Sequence, residues 1–261
     1  MFYRKAVKRM QVLEAAAIGE QIAMGRLHVY RREPCPIEKR SERSWEQEDQ
    51  RFLWARNHAM RELADLYERA GGELGEEEAY IFAIHSMLLE DEDLNRRVHR
   101  LIREEGVTAQ YAIRTVGEEV MRTFQEMDSP YMRARAADIE DITRRMILRL
   151  LHIYPQRTVS REPVILVSDH FLPSEVMELD RRRILGLVTT GGSVDSHTAQ
   201  ILRYCRIPTL VGVDLPADWE GHTVLMDGHT GRLYLEPDIA LTESLRREYE
   251  RNGFPGEVPT P

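Results

Sequence analysis

His197 lies in Thr189-Thr190-Gly191-Gly192-Ser193-Val194-Asp195-Ser196-His197-Thr198-Ala199, and no other residue has neighbours so suited to chemistry. The apolar run Ile184 to Val188 leads into the glycine pair, and Ser-His-Thr opens a segment closed by Arg203 and Ile207-Pro208. That order predicts a strand, a tight polar turn and a histidine at a helix N-terminus. Free backbone N–H groups and the helix dipole favour negative charge there, so a phosphate on the imidazole would be stabilised. Imidazole also suits phosphoryl relay, because its neutral ring nitrogen is nucleophilic near neutral pH. Ser196 and Thr198 can supply hydroxyls, Gly191 and Gly192 let backbone approach closely, and Asp195 could orient the ring while repelling an incoming phosphate. The competing reading is a helix cap or a surface histidine.

Other candidates are weaker. Gly191-Gly192-Ser193 lacks the lysine and spacing of a nucleotide P-loop and reads as a turn. His222 and His229 could approach across a hairpin, yet no third ligand is near, so no metal site is expected. Ser196 beside His197 is no triad, since adjacent side chains rarely face one another. Glu90-Asp91-Glu92-Asp93 reads as a solvated, helix-initiating run or as an attraction for a basic partner. His85 stands at helical spacing from Ile81 and Leu88-Leu89, which makes a packed structural histidine a serious alternative to a surface role.

The elements that must position these residues change character along the chain. From about Ile37 to Leu151 apolar residues recur at helical spacing. Trp45, Phe52, Ala55, Ala59, Leu63 and Leu66 mark one face of a long helix that Gly71-Gly72 is expected to end. Ala109, Ala112, Val116, Val120 and Phe124 repeat the pattern, as do Met132, Ala136, Ile139, Ile142, Met146, Leu150 and Ile153. With the shorter pieces Glu76 to Leu89 and Asp93 to Ile102, about five helices result, most economically packed as an antiparallel bundle.

After Pro155 short apolar runs predict strands at Val164 to Val167, Ile184 to Val188 and Thr209 to Val213. His222 to Met226 and Arg232 to Leu235 flank Asp227-Gly228-His229-Thr230-Gly231 as a hairpin. Ser174 to Leu179 and Ser196 to Arg206 predict short helices, Leu241 to Tyr249 a final one, and a Pro- and Gly-rich tail follows. Ile22 to Tyr30 also has strand character; if it pairs with the later strands, the helices are an insertion inside one α/β domain.

With 261 residues, 42% hydrophobic and 31% charged, the composition is that of a soluble globular protein. A net charge of −8 disfavours generic nucleic-acid binding. Cys35 and Cys205 are the two cysteines and lie far apart, so neither a disulfide framework nor a thiolate metal site is expected, and a cytoplasmic location fits. Arg4, Lys5, Lys8, Arg9, Glu14 and Glu20 interrupt the N-terminal segment, so no signal peptide is expected there. No stretch approaches the roughly 20 apolar residues of a membrane span.

Three blocks resemble a known family. Gly75-Glu76-Glu77-Glu78-Ala79-Tyr80-Ile81-Phe82-Ala83-Ile84-His85-Ser86-Met87-Leu88-Leu89-Glu90-Asp91 is the first, and Tyr131-Met132-Arg133-Ala134-Arg135-Ala136-Ala137-Asp138-Ile139 the second. The third runs from Pro163 through Val164-Ile165-Leu166-Val167 and Pro173-Ser174-Glu175 to Ser196-His197-Thr198-Ala199 and Ile207-Pro208-Thr209-Leu210-Val211-Gly212. Together they resemble the N-terminal half of Enzyme I of the bacterial phosphoenolpyruvate-dependent sugar phosphotransferase system, from about Ile22 to Leu245. The third block alone is also similar to pyruvate phosphate dikinase and PEP synthase; the helical blocks select Enzyme I.

The resemblance implies an α/β phosphohistidine (swivelling) domain, residues 1–36 and 154–240, with a large inserted all-α helical-bundle subdomain, residues 37–153. A C-terminal helix and tail would occupy 241–261. His197 would carry the phosphate, with Ser196, Thr198, Gly192 and Asp195 around it. Glu77, His85, Met87, Leu88, Asp91, Leu94 and Arg135 would dock the small phosphocarrier HPr. Where the family carries arginine and threonine before Ser-His, this chain has Val194 and Asp195; a further threonine and a lysine are replaced by Val176 and Glu78. Nothing after Leu245 resembles the family's PEP-binding barrel, so the chain is expected to be the N-terminal domain alone, monomeric and unable to use PEP by itself. It is expected to need no cofactor, magnesium belonging to the missing barrel. The rival readings are an Enzyme I relative that only binds a partner, and the swivelling domain of a dikinase.

Overall fold

Residues 10–155 and 160–252 are described by the computed structural model. The strands are β1 (Gln11–Glu14), β2 (Ala16–Ile18), β3 (Ile22–Val29), β4 (Val164–Ser168), β5 (Ile184–Thr189), β6 (Thr209–Val211), β7 (Thr223–Asp227) and β8 (Arg232–Leu235). They form one sheet in the order β1-β8-β7-β3-β4-β5-β6-β2. Strand β3 pairs antiparallel with β7 through its first half and parallel with β4 through its second. Strands β4, β5 and β6 continue the parallel run. Every residue of β4 is buried, as expected of a strand covered on both faces.

Strands β1 and β2 cap opposite edges of the sheet although only Ala15 separates them. The chain bends there, and the Ala15 N–H donates to the Gly231 carbonyl at 2.8 Å. A Cβ on Gly231 would lie 2.4 Å from the Ala15 carbonyl oxygen, so this corner requires glycine. The longer runs of the sheet are thereby flanked at both edges by a short strand, β1 on β8 and β2 on β6. The sequence pattern predicts no strand before Ile22, because β1 and β2 are short and mostly exposed and carry no clear alternation.

Between the neighbouring strands β3 and β4 the chain inserts six helices: α1 (Trp45–Glu73), α2 (Glu76–Glu90), α3 (Glu92–Glu105), α4 (Ala109–Gln125), α5 (Pro130–Ala134) and α6 (Ala136–Leu150). Ser44 and Gln47 form a capping box at the start of α1. Phe52, Ala55, Ala59, Leu63 and Leu66 are buried as expected, but Trp45 is 43% exposed, its ring 5.2 Å from the Arg103 guanidinium. Helix α1 also continues through Gly71-Gly72; the break comes at Gly75, where φ reaches +119°. The single helix expected from Met132 to Ile153 is two, divided at Arg135, and Ile153 lies beyond α6, past His152 at φ +54°.

Helix α6 is buried almost throughout. Ile139, Ile142, Met146 and Leu150 enter the helical core, while Asp138, Asp141, Arg145 and Arg149 are buried alongside them. The chain then adds α7 (Pro173–Glu178), a 3-10 turn (Arg181–Arg183), α8 (His197–Cys205) and α9 (Ile239–Asn252). The latter packs Leu245 and Tyr249 on Ile22, Leu225 and Tyr234. Residues 1–9 of the expected first segment and the Pro- and Gly-rich tail, 253–261, lie outside the described residues. No described helix is long and apolar enough to cross a membrane.

Candidate active site

The turn between β5 and α8 is built by its own small polar residues. The Gly191 N–H donates to the Asp169 carbonyl at 2.9 Å, and the Thr189 hydroxyl donates to the Gly191 carbonyl at 2.7 Å. Gly192 takes φ +95°, a conformation that favours glycine. The Ser196 hydroxyl donates to the Ser193 carbonyl at 2.9 Å and accepts the Ala199 N–H at 3.1 Å as N-cap. The Thr198 hydroxyl donates to the Phe171 carbonyl at 3.0 Å. Both hydroxyls expected near the phosphate are thus committed to holding the helix mouth. The N–H groups of His197 and Thr198 have no acceptor among the described residues.

The His197 imidazole is 14% exposed, and its Nδ1 lies 3.1 Å from Asp138 Oδ2 across the seam between α8 and the first turn of α6. Asp138 is 2% exposed. His85 Nε2 stands 3.3 Å from its Oδ1, and Arg135 Nη1 stands 3.5 Å from Oδ2. Burial alone raises the Asp138 pKa; the contacts from His197 and His85 more than reverse this and hold it at about 2. The carboxylate is therefore ionised and can only accept, which puts the His197 proton on Nδ1. Nε2 is left with its lone pair and has no hydrogen-bond partner among the described residues.

Asp195 does not take the orienting role that its position beside His197 suggests. Its side chain is exposed, and its N–H is bound to the Ser193 hydroxyl at 3.1 Å. Residues at the start of a helix fan outward, so neighbours in sequence diverge, whereas Asp138 arrives from another helix facing the ring. One signal for Asp138 was present in the sequence. Asp138, Asp141, Arg145 and Arg149 recur at helical spacing beside an apolar stripe, marking a second face of α6 that needs polar partners.

The polar seam extends from the site. His170 Nε2 lies 2.9 Å from Glu140, and its Nδ1 lies 3.2 Å from Asp169. The Glu140 contact raises the His170 pKa against the opposing effect of burial. Arg32 donates to Asp169 and Glu175, each at 2.8 Å. The Ser174 N–H donates to Asp141 at 2.9 Å, and the Ser174 hydroxyl also donates to that carboxylate. Arg145 bridges Glu62 at 2.7 Å and Glu178 at 2.9 Å. Sequence reasoning singled out neither His170 nor Arg32.

The residues expected to dock a partner separate into two groups. Met87 is 63% exposed, Glu77 and Asp91 are exposed, and Leu88 is half-buried. Tyr80 and Tyr131 add exposed rings. Arg135 packs over the Tyr131 ring, 4.8 Å from its centroid, and reaches Asp138, so it joins this face to the His197 site. His85 and Leu94 are instead interior, 0% and 8% exposed. His85 lies three residues from Phe82 and four from Leu89 and Ile81, on the buried stripe of α2, so it cannot be a surface contact.

A family model described as the N-terminal part of PEP-utilising enzymes matches residues 14–135, and one for the mobile domain of PEP-utilising enzymes matches residues 160–231. The chain belongs to the PEP-utilising enzyme family. Among its relatives, the phosphoenolpyruvate-protein phosphotransferase of Bacillus subtilis is 31% identical over 244 residues, which is 92% of this chain and 42% of that protein. The chain therefore spans less than half the length of the curated relatives it matches. A solution NMR structure of an Enzyme I protein superposes with a TM-score of 0.68 at 28% identity, covering 92% of this chain and 99% of that one. The N-terminal domain of a nitrogen Enzyme 1 gives 0.58 at 25% identity, covering 91% and 99%. The fold is thus that of the Enzyme I N-terminal domain, an α/β sheet domain with a helical bundle, within a family of transferases.

Proposed function

We propose that this chain is a phosphoryl relay domain in which His197 Nε2 carries the phosphate. The observation that carries this reading is the 3.1 Å contact of His197 Nδ1 with buried Asp138, which leaves Nε2 as the nucleophile. In the step, the Nε2 lone pair attacks the phosphorus of a phosphohistidine on a carrier protein. The new N–P bond forms as the donor N–P bond breaks, and the donor imidazole leaves with the electron pair. The His197 ring becomes cationic while keeping its Nδ1 proton, and the Asp138 carboxylate compensates that charge. The phosphoryl oxygens meet the mouth of α8 and its free N–H groups. Little else is asked of the protein beyond alignment of the two rings.

The carrier is an HPr-like protein docking where Tyr80, Met87 and Tyr131 are exposed and Glu77, Asp91 and Arg135 add charge. In the full enzyme PEP and magnesium are handled by a domain outside this chain, and the pathway serves sugar uptake in the cytoplasm. The dikinase reading is not favoured, since the relatives and solved structures that match across the helical insertion are phosphoenolpyruvate-protein phosphotransferases and Enzyme I domains. The test is incubation with phosphorylated HPr, followed by detection of acid-labile phosphate on the chain. Transfer to wild type and none to His197→Ala is expected. Binding of HPr with no transfer to the folded wild type would leave a binding module instead.

A further inference from the structure

His85 is a fully buried histidine on α2, yet it touches the group that orients His197. Its Nε2 is 3.3 Å from Asp138 Oδ1, on the carboxylate oxygen that His197 does not use. Its Nδ1 faces Asp141 Oδ2 at 3.9 Å, beyond hydrogen-bond reach. Both Asp141 oxygens are already occupied by the Ser174 N–H and hydroxyl, and Arg145 lies close enough for its charge to act on Asp141. The Phe82 ring meets the imidazole edge-on at 6.0 Å between centroids. Neither ring nitrogen meets full hydrogen-bond geometry, and the nearer acceptor is Asp138, an ionised carboxylate that needs a donor.

We infer that His85 is a positioning residue: through an Nε2–H donated to Asp138 Oδ1 it keeps that carboxylate ionised and aimed at His197 Nδ1. The groups that share control of Asp138 are His197 from α8, His85 from α2 and Arg135 at the start of α6. Arg135 is held by Tyr131 and faces Oδ2, so it does not replace a donor on Oδ1. A carboxylate this buried, stripped of one donor, drifts toward its neutral form. A neutral Asp138 can donate to Nδ1 instead of accepting from it, which moves the ring proton to Nε2 and blocks the nucleophile. The consequence for transfer rests on the relay reading above; the effect on Asp138 does not.

The experiment therefore uses the unphosphorylated chain. Carboxyl carbon NMR follows the titration of Asp138 in wild type, His85→Leu and His85→Gln, with amide spectra to establish that each is folded. The leucine variant is expected to titrate higher by about one unit, and glutamine, whose amide nitrogen can stand in for Nε2, closer to wild type. Imidazole nitrogen shifts should place the wild-type His85 proton on Nε2 and the His197 proton on Nδ1. With phosphorylated HPr the leucine variant should transfer roughly 10-fold more slowly, with recovery in the glutamine variant. An unchanged Asp138 titration in folded His85→Leu overturns the inference. If that variant does not fold, a wild-type His85 proton found on Nδ1 overturns it equally. Failure of all transfer with the Asp138 shift intact would remove the relay reading and leave this one standing.

Discussion

The two long faces of α6 bury similar lengths of helix by opposite means. Ile139, Ile142, Met146 and Leu150 meet the bundle through non-directional apolar contact, which tolerates small shifts and exchange of side chains of similar volume. Asp138, Glu140, Asp141 and Arg145 meet His197, His170, Ser174 and Glu178 from the sheet domain, and each pairing has one productive geometry. The apolar face makes the helix part of a stable bundle. The polar face ties that bundle to the histidine in one register, because a buried charge must be answered by a group placed opposite it.

Breaking the apolar face gives the largest expected effect on stability. Ile142→Ala, at a position with no solvent exposure, should cost about 2–5 kcal/mol in urea unfolding. Transfer per folded molecule should stay near wild type, and a selective loss of transfer would contradict the division of labour between the faces.

Asp138→Asn reverses the pattern. Phosphoryl transfer from phosphorylated HPr should fall by roughly 100-fold, because an amide no longer enforces the Nδ1 proton or compensates the cationic ring. Its stability signature is confined to a pH range. The Asp138 pKa is lowered from 3.8 to about 2 on folding, so the ionised carboxylate contributes about 2 kcal/mol above the unfolded value. That contribution fades as pH falls from about 4 toward 2. Acid unfolding of wild type and variant should therefore converge below that range, and transfer at the wild-type rate would exclude Asp138 from the mechanism.

The smallest expected effect is at the seam's exposed end. Glu140 raises the His170 pKa, so their pair stabilises the fold below the ordinary histidine value, and this is lost as pH rises through the raised one. Glu140→Gln should cost under about 1 kcal/mol, since the two side chains are 27% and 33% exposed. The loss should appear at pH 5 to 6 and vanish in alkali; a pH-independent loss would point to packing instead.

The helices were legible wherever one apolar face repeats, as along Phe52 to Leu66, because a helix buries side chains at its own period. Their ends were less so: α1 runs through Gly71-Gly72 because two glycines cost little beside a packed flank, and Arg135 breaks a stripe that stays apolar on both sides. The edge strands beside Ala15 are only three and four residues long and fully bury Ile18 alone, and so left no pattern. At the site, the glycine pair and Ser-His-Thr singled out His197. Its partners, Asp138 and His85, are drawn from α6 and α2 and could be found only once three elements were brought together.

By itself, then, the sequence determined the helical insert, the strands that follow it and the turn that carries His197, since periodicity, turn chemistry and a helix mouth are properties of neighbouring residues. The tertiary structure decided which carboxylate orients His197, that His85 faces inward, and which of the expected docking residues reach the surface. Those outcomes depend on what stands opposite each side chain in the seam. Composition and spacing carry no record of that, because charges buried between two elements are stabilised by partners far away in the chain.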